Sequence, residues 1–290
     1  MHTIAGSIPL PSVEAQSHTV ENTMQPNTYL MESDEEIIRL EVKTERSGVE
    51  EQALWAGIKP GMRVADIGCG SGITTAILHG LVQPTGTVTG VDRSSKRINH
   101  AGKQYGAEGL EFVCRDILAP LDDLGKFDFI WVRFLLEYYR TNSFELVTSL
   151  SHLLNPGGIM CLIDLDHNCL NHFGLSDKLE RNLFTALKIL EEQANFDPYA
   201  GRKLYSYLYD LDFLKIDVNL AAHHLIFGDL KESDAYNWMK KIEVVSEKLD
   251  FSFEDEAWGP REFAEEFEQF FNNPRRFTYT PVIMCRGIRP

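Results

Sequence analysis

The chain has no uninterrupted apolar run of 18 residues, so no membrane-crossing helix is expected. It has no Cys-x-x-Cys pair. Its five cysteines, Cys69, Cys114, Cys161, Cys169 and Cys285, are odd in number and widely spaced, which argues against a disulfide framework and for a reducing, cytoplasmic setting. Positive charge is scarce: 28 Lys and Arg against 43 Asp and Glu give a formal charge of -15. Such a surface repels phosphate backbones and anionic headgroups over most of its area, so no nucleic-acid partner is expected. The opening residues lack the basic start and apolar centre of a secretory signal. Internal repeats and low-complexity tracts are also missing.

What is present is enough apolar material, 43% of 290 residues, for one large domain with a filled core. Residues 1–28 read as an irregular arm rich in Pro, Ser and Thr, and 29–290 as a single domain. A capping box, Ser33 with Glu36, opens a helix whose apolar face continues through Leu54, Trp55 and Ile58. From Arg63 the text alternates strand and helix. The strands are "RVADIG", "GTVTGVDRS", "LEFVCRDI", "FDFIWVRF" and "GGIMCLIDLD", several of them nearly continuous apolar runs of the kind a sheet covered on both faces requires. The helix "FELVTSLSHLLNP" is expected to end at Asn155 and Pro156. The fold class is therefore α/β: a doubly wound, Rossmann-like, mostly parallel seven-stranded sheet with helices on both faces. A core over 60–166 is followed by helical insertions near 167–211 and 229–275.

In "VADIGCGSGITTAIL" three glycines fall within five positions, straight after a strand. A turn of this kind lets a ligand approach the backbone and points free helix amides at it. A dinucleotide fingerprint would place its last glycine at position 73, where Ile73 stands, and no Gly-Lys-Ser/Thr follows to make a P-loop. The spacing is Asp66, Gly68, Gly70, Gly72. Asp92 ends the second strand 20 positions after Gly72, where a carboxylate can accept the hydroxyls of a ribose or else cap the next helix, a task open to Ser94 or Ser95. After the third strand Asp116 can bond an adenine amine and Ile117 can lie against its ring.

Over about Arg63–Asp166 these segments resemble the class I S-adenosylmethionine-dependent methyltransferases, on the small-molecule side of the family that includes quinone-biosynthesis and natural-product enzymes. The resemblance implies S-adenosylmethionine as cofactor and S-adenosylhomocysteine as product. It implies Asp66, Gly68, Gly70 and Gly72 at the methionine part, Asp92 with Arg93 at the ribose, Asp116 and Ile117 at the adenine, and main chain at Val132 and Arg133 facing the methionine amine. Tyr29, ahead of the first helix, would close over the cofactor, with Arg39 on that helix as a further contact.

No Asp/Asn-Pro-Pro-aromatic turn follows the fourth strand and no cysteine follows a proline, which sets aside base or glutamine amino methylation and cytosine C5 methylation. Asp164, Asp166 and Asn168 are too few for a magnesium site without an acid after strand four, so no metal is expected. His167 is the candidate base, beside the alternative of a hydrogen-bonded loop histidine. His223 and His224 sit on one strand, where alternation sends neighbours to opposite faces. Phe173, Phe196, Tyr199, Tyr205, Tyr207, Tyr209, Trp238 and Phe253 supply core or the walls of an apolar acceptor pocket. The expectation is methyl transfer to a small apolar or aromatic metabolite by a monomer or homodimer. The alternatives are a protein or RNA methyltransferase, for which "NNPRRF" is the one dense basic stretch, or a cofactor-binding module without catalysis.

Overall fold

The computed structural model describes residues 37, 39–41, 44–248 and 259–290. Tyr29, the Ser33 and Glu36 box and Phe253 lie outside the described residues. The order of elements is α1 (Arg46–Ala56), β1 (Arg63–Ile67), α2 (Ile73–Val82), β2 (Thr87–Asp92), α3 (Ser95–Tyr105), β3 (Leu110–Cys114), β4 (Phe127–Arg133), α4 (Ser143–Ser151), β5 (Leu154–Leu165), β6 (His172–Phe173), α5 (Asp177–Gln193), α6 (Leu204–Asp210), β7 (Leu214–Phe227), α7 (Glu232–Lys248), α8 (Pro260–Asn272) and β8 (Phe277–Ile288).

The eight strands form one sheet in the order β3-β2-β1-β4-β5-β8-β6, with β7 also paired to β8. The β3-β2, β2-β1, β1-β4 and β4-β5 pairs are parallel, and β8 runs antiparallel to β5, β6 and β7. Seven long strands match the expected sheet; the eighth, β6, has two residues. Helices α1 and α2 cover one face through Val49, Ala53, Ile77 and Leu78, while α4 and α6 cover the other through Leu146, Leu150, Leu204 and Leu208. A third core lies beyond the sheet, where α5, α7 and α8 pack through Leu183, Leu187, Trp238, Phe263 and Phe267. The four phenylalanines of α8, Phe263, Phe267, Phe270 and Phe271, recur at helical spacing and explain why that helix turns inward.

Three expectations change. The first helix does not run on from its opening: both the amide and the hydroxyl of Thr44 donate to the Leu40 carbonyl, closing a turn before α1 begins afresh at Arg46. In α1 the buried stripe is Val49, Ala53 and Ala56, and Leu54 is left exposed. Helix α4 ends at Ser151, and Leu154–Pro156 already belong to β5, because Leu154 pairs with Phe127. Finally, α6, within the stretch read as an acceptor-side insertion, packs on the sheet, so the helices beyond it are α5, α7 and α8.

Candidate functional site

The parallel strands β1, β2 and β4 end side by side, and the loops that leave them surround a cleft. Crevices beyond the carboxyl ends of parallel strands, where the strand order reverses, are where open α/β sheets take ligands. Here the reversal lies between β1 and β4.

The loop after β1 is pinned to β2 by the amides of Gly68 and Cys69, which donate to the Val91 carbonyl at 2.8 and 3.0 Å. Gly70 has φ +56 and donates its amide to Asp92 Oδ2 at 3.0 Å; a Cβ there would meet only the tip of Leu40. Gly72 has φ +89, and a Cβ there would sit 2.6 Å from Ala101 Cβ and 2.9 Å from the Phe112 ring. The two glycines therefore serve different ends. Gly70 keeps the loop bare toward the cleft, whereas Gly72 lets α2 start against α3 and β3.

Asp92 is buried and heavily engaged. Its Oδ1 accepts from the Ser94 amide at 2.8 Å and from Arg97 Nε and Nη2 at 3.2 and 2.8 Å. Among the described residues its Oδ2 accepts from Gly70 alone, leaving one carboxylate oxygen with room for a further donor. Ser94 caps α3 with its hydroxyl, so the capping role falls to the neighbour of the acid. On the cleft floor Asp66 accepts from Thr75 Oγ1 at 2.7 Å, and burial pushes its carboxyl up to about 7. Burial likewise pulls the Arg133 guanidinium down to about 10, while its Nε donates to Gln52 Oε1 at 3.0 Å. Ser71 Oγ lines the same cleft, is buried, and has no hydrogen-bond partner among the described residues.

A second cavity adjoins this cleft, with Arg39, Glu137 and Tyr138 common to both linings. Its walls are Leu183, Ala186, Leu187 and Leu190 of α5, Trp238, Lys241 and Ile242 of α7, and Phe263 of α8, with Phe196 between α5 and α6. Glu137 follows β4 in a short 3-10 turn, Leu136–Tyr138. Its Oε2 accepts from Asn168 Nδ2 at 2.6 Å, and its amide donates to Asp164 Oδ2 at 3.2 Å. Asp164 is fully buried, and burial together with Glu137 holds its carboxyl well above the usual range.

The comparisons with known proteins agree with this layout. Residues 64–158 match the family model described as a methyltransferase domain. The match runs from β1 into β5. Demethylmenaquinone methyltransferases of Staphylococcus aureus are 32% identical over 110 residues, which is 37% of this chain and 44% of theirs. The chain thus matches less than half the length of those relatives. A crystal structure of a methyltransferase from Bacillus halodurans C-125 has a TM-score of 0.53 at 15% identity, over 84% of this chain and 99% of that one. Haemonchus contortus phosphoethanolamine N-methyltransferase 2, solved in complex with S-adenosyl-L-methionine, has a TM-score of 0.54 at 15% identity, over 89% of this chain and 57% of that one. At these identities the structural likeness is one of fold.

The cleft is lined by Asp66, Gly68, Gly70, Asp92, Arg93, Ile117 and Arg133, and by Arg39. Gly72 and Val132 stand behind the lining, Val132 buried within the sheet. Asp116 is exposed at the rim, accepting from the Leu118 amide at 3.0 Å. It lies close enough to Tyr139, a cleft residue, to act on its hydroxyl together with Arg93 and Asp92. His167 is set apart: it has φ +47 and its ring meets the Tyr199 ring edge-on at 5.2 Å, outside both linings.

Asp166 is bound by Arg202 at 2.8 and 3.0 Å and Asn168 by Glu137, so the acids after β5 are spent on structure. No three-residue cluster able to hold a metal occurs among the described residues. Of the aromatics expected as pocket walls, Phe196 and Trp238 serve; Tyr205 and Tyr209 stack on each other outside, and Phe173 is 73% exposed. The alternation assumed for His223 and His224 fails, because the register slips between Ala222 and His224 and brings the two rings within 4.2 Å. His223 then lines the cleft.

The sequence reading missed Arg97, Glu137, Tyr138, Tyr139 and Lys241 as site residues. For Glu137 to Tyr139 the available signal was position, immediately after the β4 strand. Nothing in the sequence marks Lys241.

Proposed function

We propose that this chain transfers a methyl group from S-adenosylmethionine to a small apolar or aromatic metabolite. The observation that carries the reading is the junction of the two cavities: a polar cleft built from β1, β2 and β4 opens through Arg39, Glu137 and Tyr138 into a chamber walled by Leu187, Trp238 and Phe263. One side suits a nucleoside with an amino-acid tail and the other an apolar acceptor.

The residues of the cleft fit the cofactor. Gly70 keeps the loop free of a side chain, Asp92 Oδ2 has room for a ribose hydroxyl, Ile117 offers an apolar surface, and the orphan Ser71 hydroxyl awaits a polar partner. Bound there, the cofactor supplies an electrophilic methyl on a sulfonium. The protein's part is alignment and exclusion of water: the chamber walls shed water from the acceptor, and Tyr138 and Glu137 mark the passage through which it meets the cleft. For an acceptor that bears a proton, Glu137 is the base at that passage, held by Asn168.

A polymer acceptor is less well supported. In "NNPRRF" Arg276 is buried and donates to the Gly228 carbonyl at 2.9 Å, so this stretch offers no continuous basic face. All five cysteines are free, and no helix among the described residues is long and apolar enough to cross a membrane. Both fit the cytoplasmic setting we assign. The test has two arms. Calorimetry with S-adenosylhomocysteine should show binding, and a radiolabelled methyl group should pass into the organic-soluble part of a metabolite extract. Binding without transfer into any pool would make the chain a cofactor-binding module, and label in protein or RNA would make it a polymer methyltransferase.

A further inference from the structure

Away from Arg39, Glu137, Tyr138 and Asn168, the chamber lining is apolar but for one charged side chain. Lys241, on α7, lines it while contributing nothing to the cleft. Its Nζ lies 3.9 Å from Cys169 Sγ and 5.0 Å from the centroid of the Trp238 ring, and no carboxylate among the described residues is within ion-pair reach. By contrast Arg97, in the cleft, has Asp92 at 2.8 Å. Lys241 thus faces an aromatic ring, which attracts a cation weakly, and a thiol, a poor acceptor. The His172 ring is pulled down to about 4, chiefly by burial and also by Lys241, so it stays neutral there. Lys241 is half-buried, and a cation at the wall of an apolar chamber attracts an anionic group that enters it.

We propose that Lys241 is the anchor for an anionic group on the methyl acceptor. The acceptor class is then a small molecule with an apolar or aromatic body and one acidic oxygen, a carboxylate, phenolate or enolate, at the end remote from the methylated atom. The remoteness follows from the lining: the residues shared with the cleft are Arg39, Glu137 and Tyr138, and Lys241 is not one of them. The shared end carries charges of both signs, Arg39 and Glu137, whereas Lys241 is the one charged residue of the lining away from it. The proposal rests on the methyltransferase reading for the identity of the ligand, but the charge preference of the chamber is a property of the chain itself.

The test uses two fluorescent probes with the same aromatic body, anilinonaphthalene sulfonate, which is anionic, and phenylnaphthylamine, which is neutral, titrated into the full chain. Lys241→Met should weaken the sulfonate by about tenfold, as expected for loss of a charged partner, and leave the neutral probe within about twofold. Lys241→Arg should keep the sulfonate. Leu187→Trp, which fills the chamber, should weaken both. An unchanged sulfonate affinity in Lys241→Met, equal losses of both probes, or indifference of both to Leu187→Trp would overturn the proposal. Calorimetry with S-adenosylhomocysteine on the same proteins keeps the two readings apart: failure of cofactor binding in the wild type would undo the proposed function and leave the probe result standing.

Discussion

Arg97 Nη2 stands 2.8 Å from Asp92 Oδ1, and both side chains are buried where β2 meets α3. The acid expected to hold a ribose is therefore also half of an interior ion pair, and its two oxygens divide the work: Oδ1 serves the fold and Oδ2 faces the loop and the cleft. Removing Asp92 alone should leave a buried guanidinium without its acid and destabilise the protein by about 3–5 kcal/mol. The double variant Asp92→Ala, Arg97→Met should regain much of that stability in denaturant unfolding without regaining cofactor affinity. Recovery of both would show that Asp92 acts on the cofactor only through the fold.

The glycines of the loop should separate in the same way. Gly72→Ala forces a Cβ to within 2.6 Å of Ala101 at φ +89, so unfolding should be easier by about 1–3 kcal/mol or more. Gly70→Ala meets only the flexible end of Leu40, at 3.0 Å, and should fold while binding S-adenosylhomocysteine more weakly. Calorimetry and thermal melts on the two variants read this contrast directly.

Asp66 carries a pH signature. Its folded value of about 7 lies above the ordinary 3.8, so the folded state keeps a proton that the unfolded chain releases. The stability it contributes is full below the unfolded value and is lost as pH rises toward and through the folded one, by up to about 1.4 kcal/mol per pH unit between the two. Asp66→Asn has no such loss. Its stability relative to wild type should climb between about pH 4 and pH 7 and level off above. A difference that stays flat over this range would place the proton elsewhere.

Glu137→Gln should keep the fold, since a glutamine oxygen can still accept from Asn168, and should bind S-adenosylhomocysteine as wild type does. If the acceptor gives up a proton to this side chain, label transfer into the responsive extract fraction should fall by about a hundredfold. Equal transfer by both proteins would leave Glu137 as a wall of the passage only.

The parallel half of the fold was legible because it is written locally. Several of the strands from β1 to β5 are apolar runs closed by a turn, and Asp66, Gly70 and Asp92 sit at the ends of two neighbouring ones, so spacing alone brings them to one rim. Features that depend on partners distant in the chain were not legible. Nothing near Asp92 announces that Arg97 will fold back onto it. The slip that brings His223 beside His224 depends on the register with β8, 56 residues further along. The end of α4 was misplaced because Asn155 and Pro156 look like helix stops, whereas pairing of Leu154 with Phe127 draws them into β5. The chamber is the extreme case: Leu187, Trp238 and Phe263 each read as ordinary core, and only the packing of three helices leaves a space between them.

The account turns on one nucleoside lying across the ends of β1 and β2. Calorimetric titration of S-adenosylhomocysteine into wild type and into the Asp92→Ala, Arg97→Met protein, once unfolding shows the latter to be folded, tests this most directly. We predict saturable binding by wild type and a loss of at least about a hundredfold in the double variant. No binding to wild type, or equal affinity in the two proteins, would contradict it.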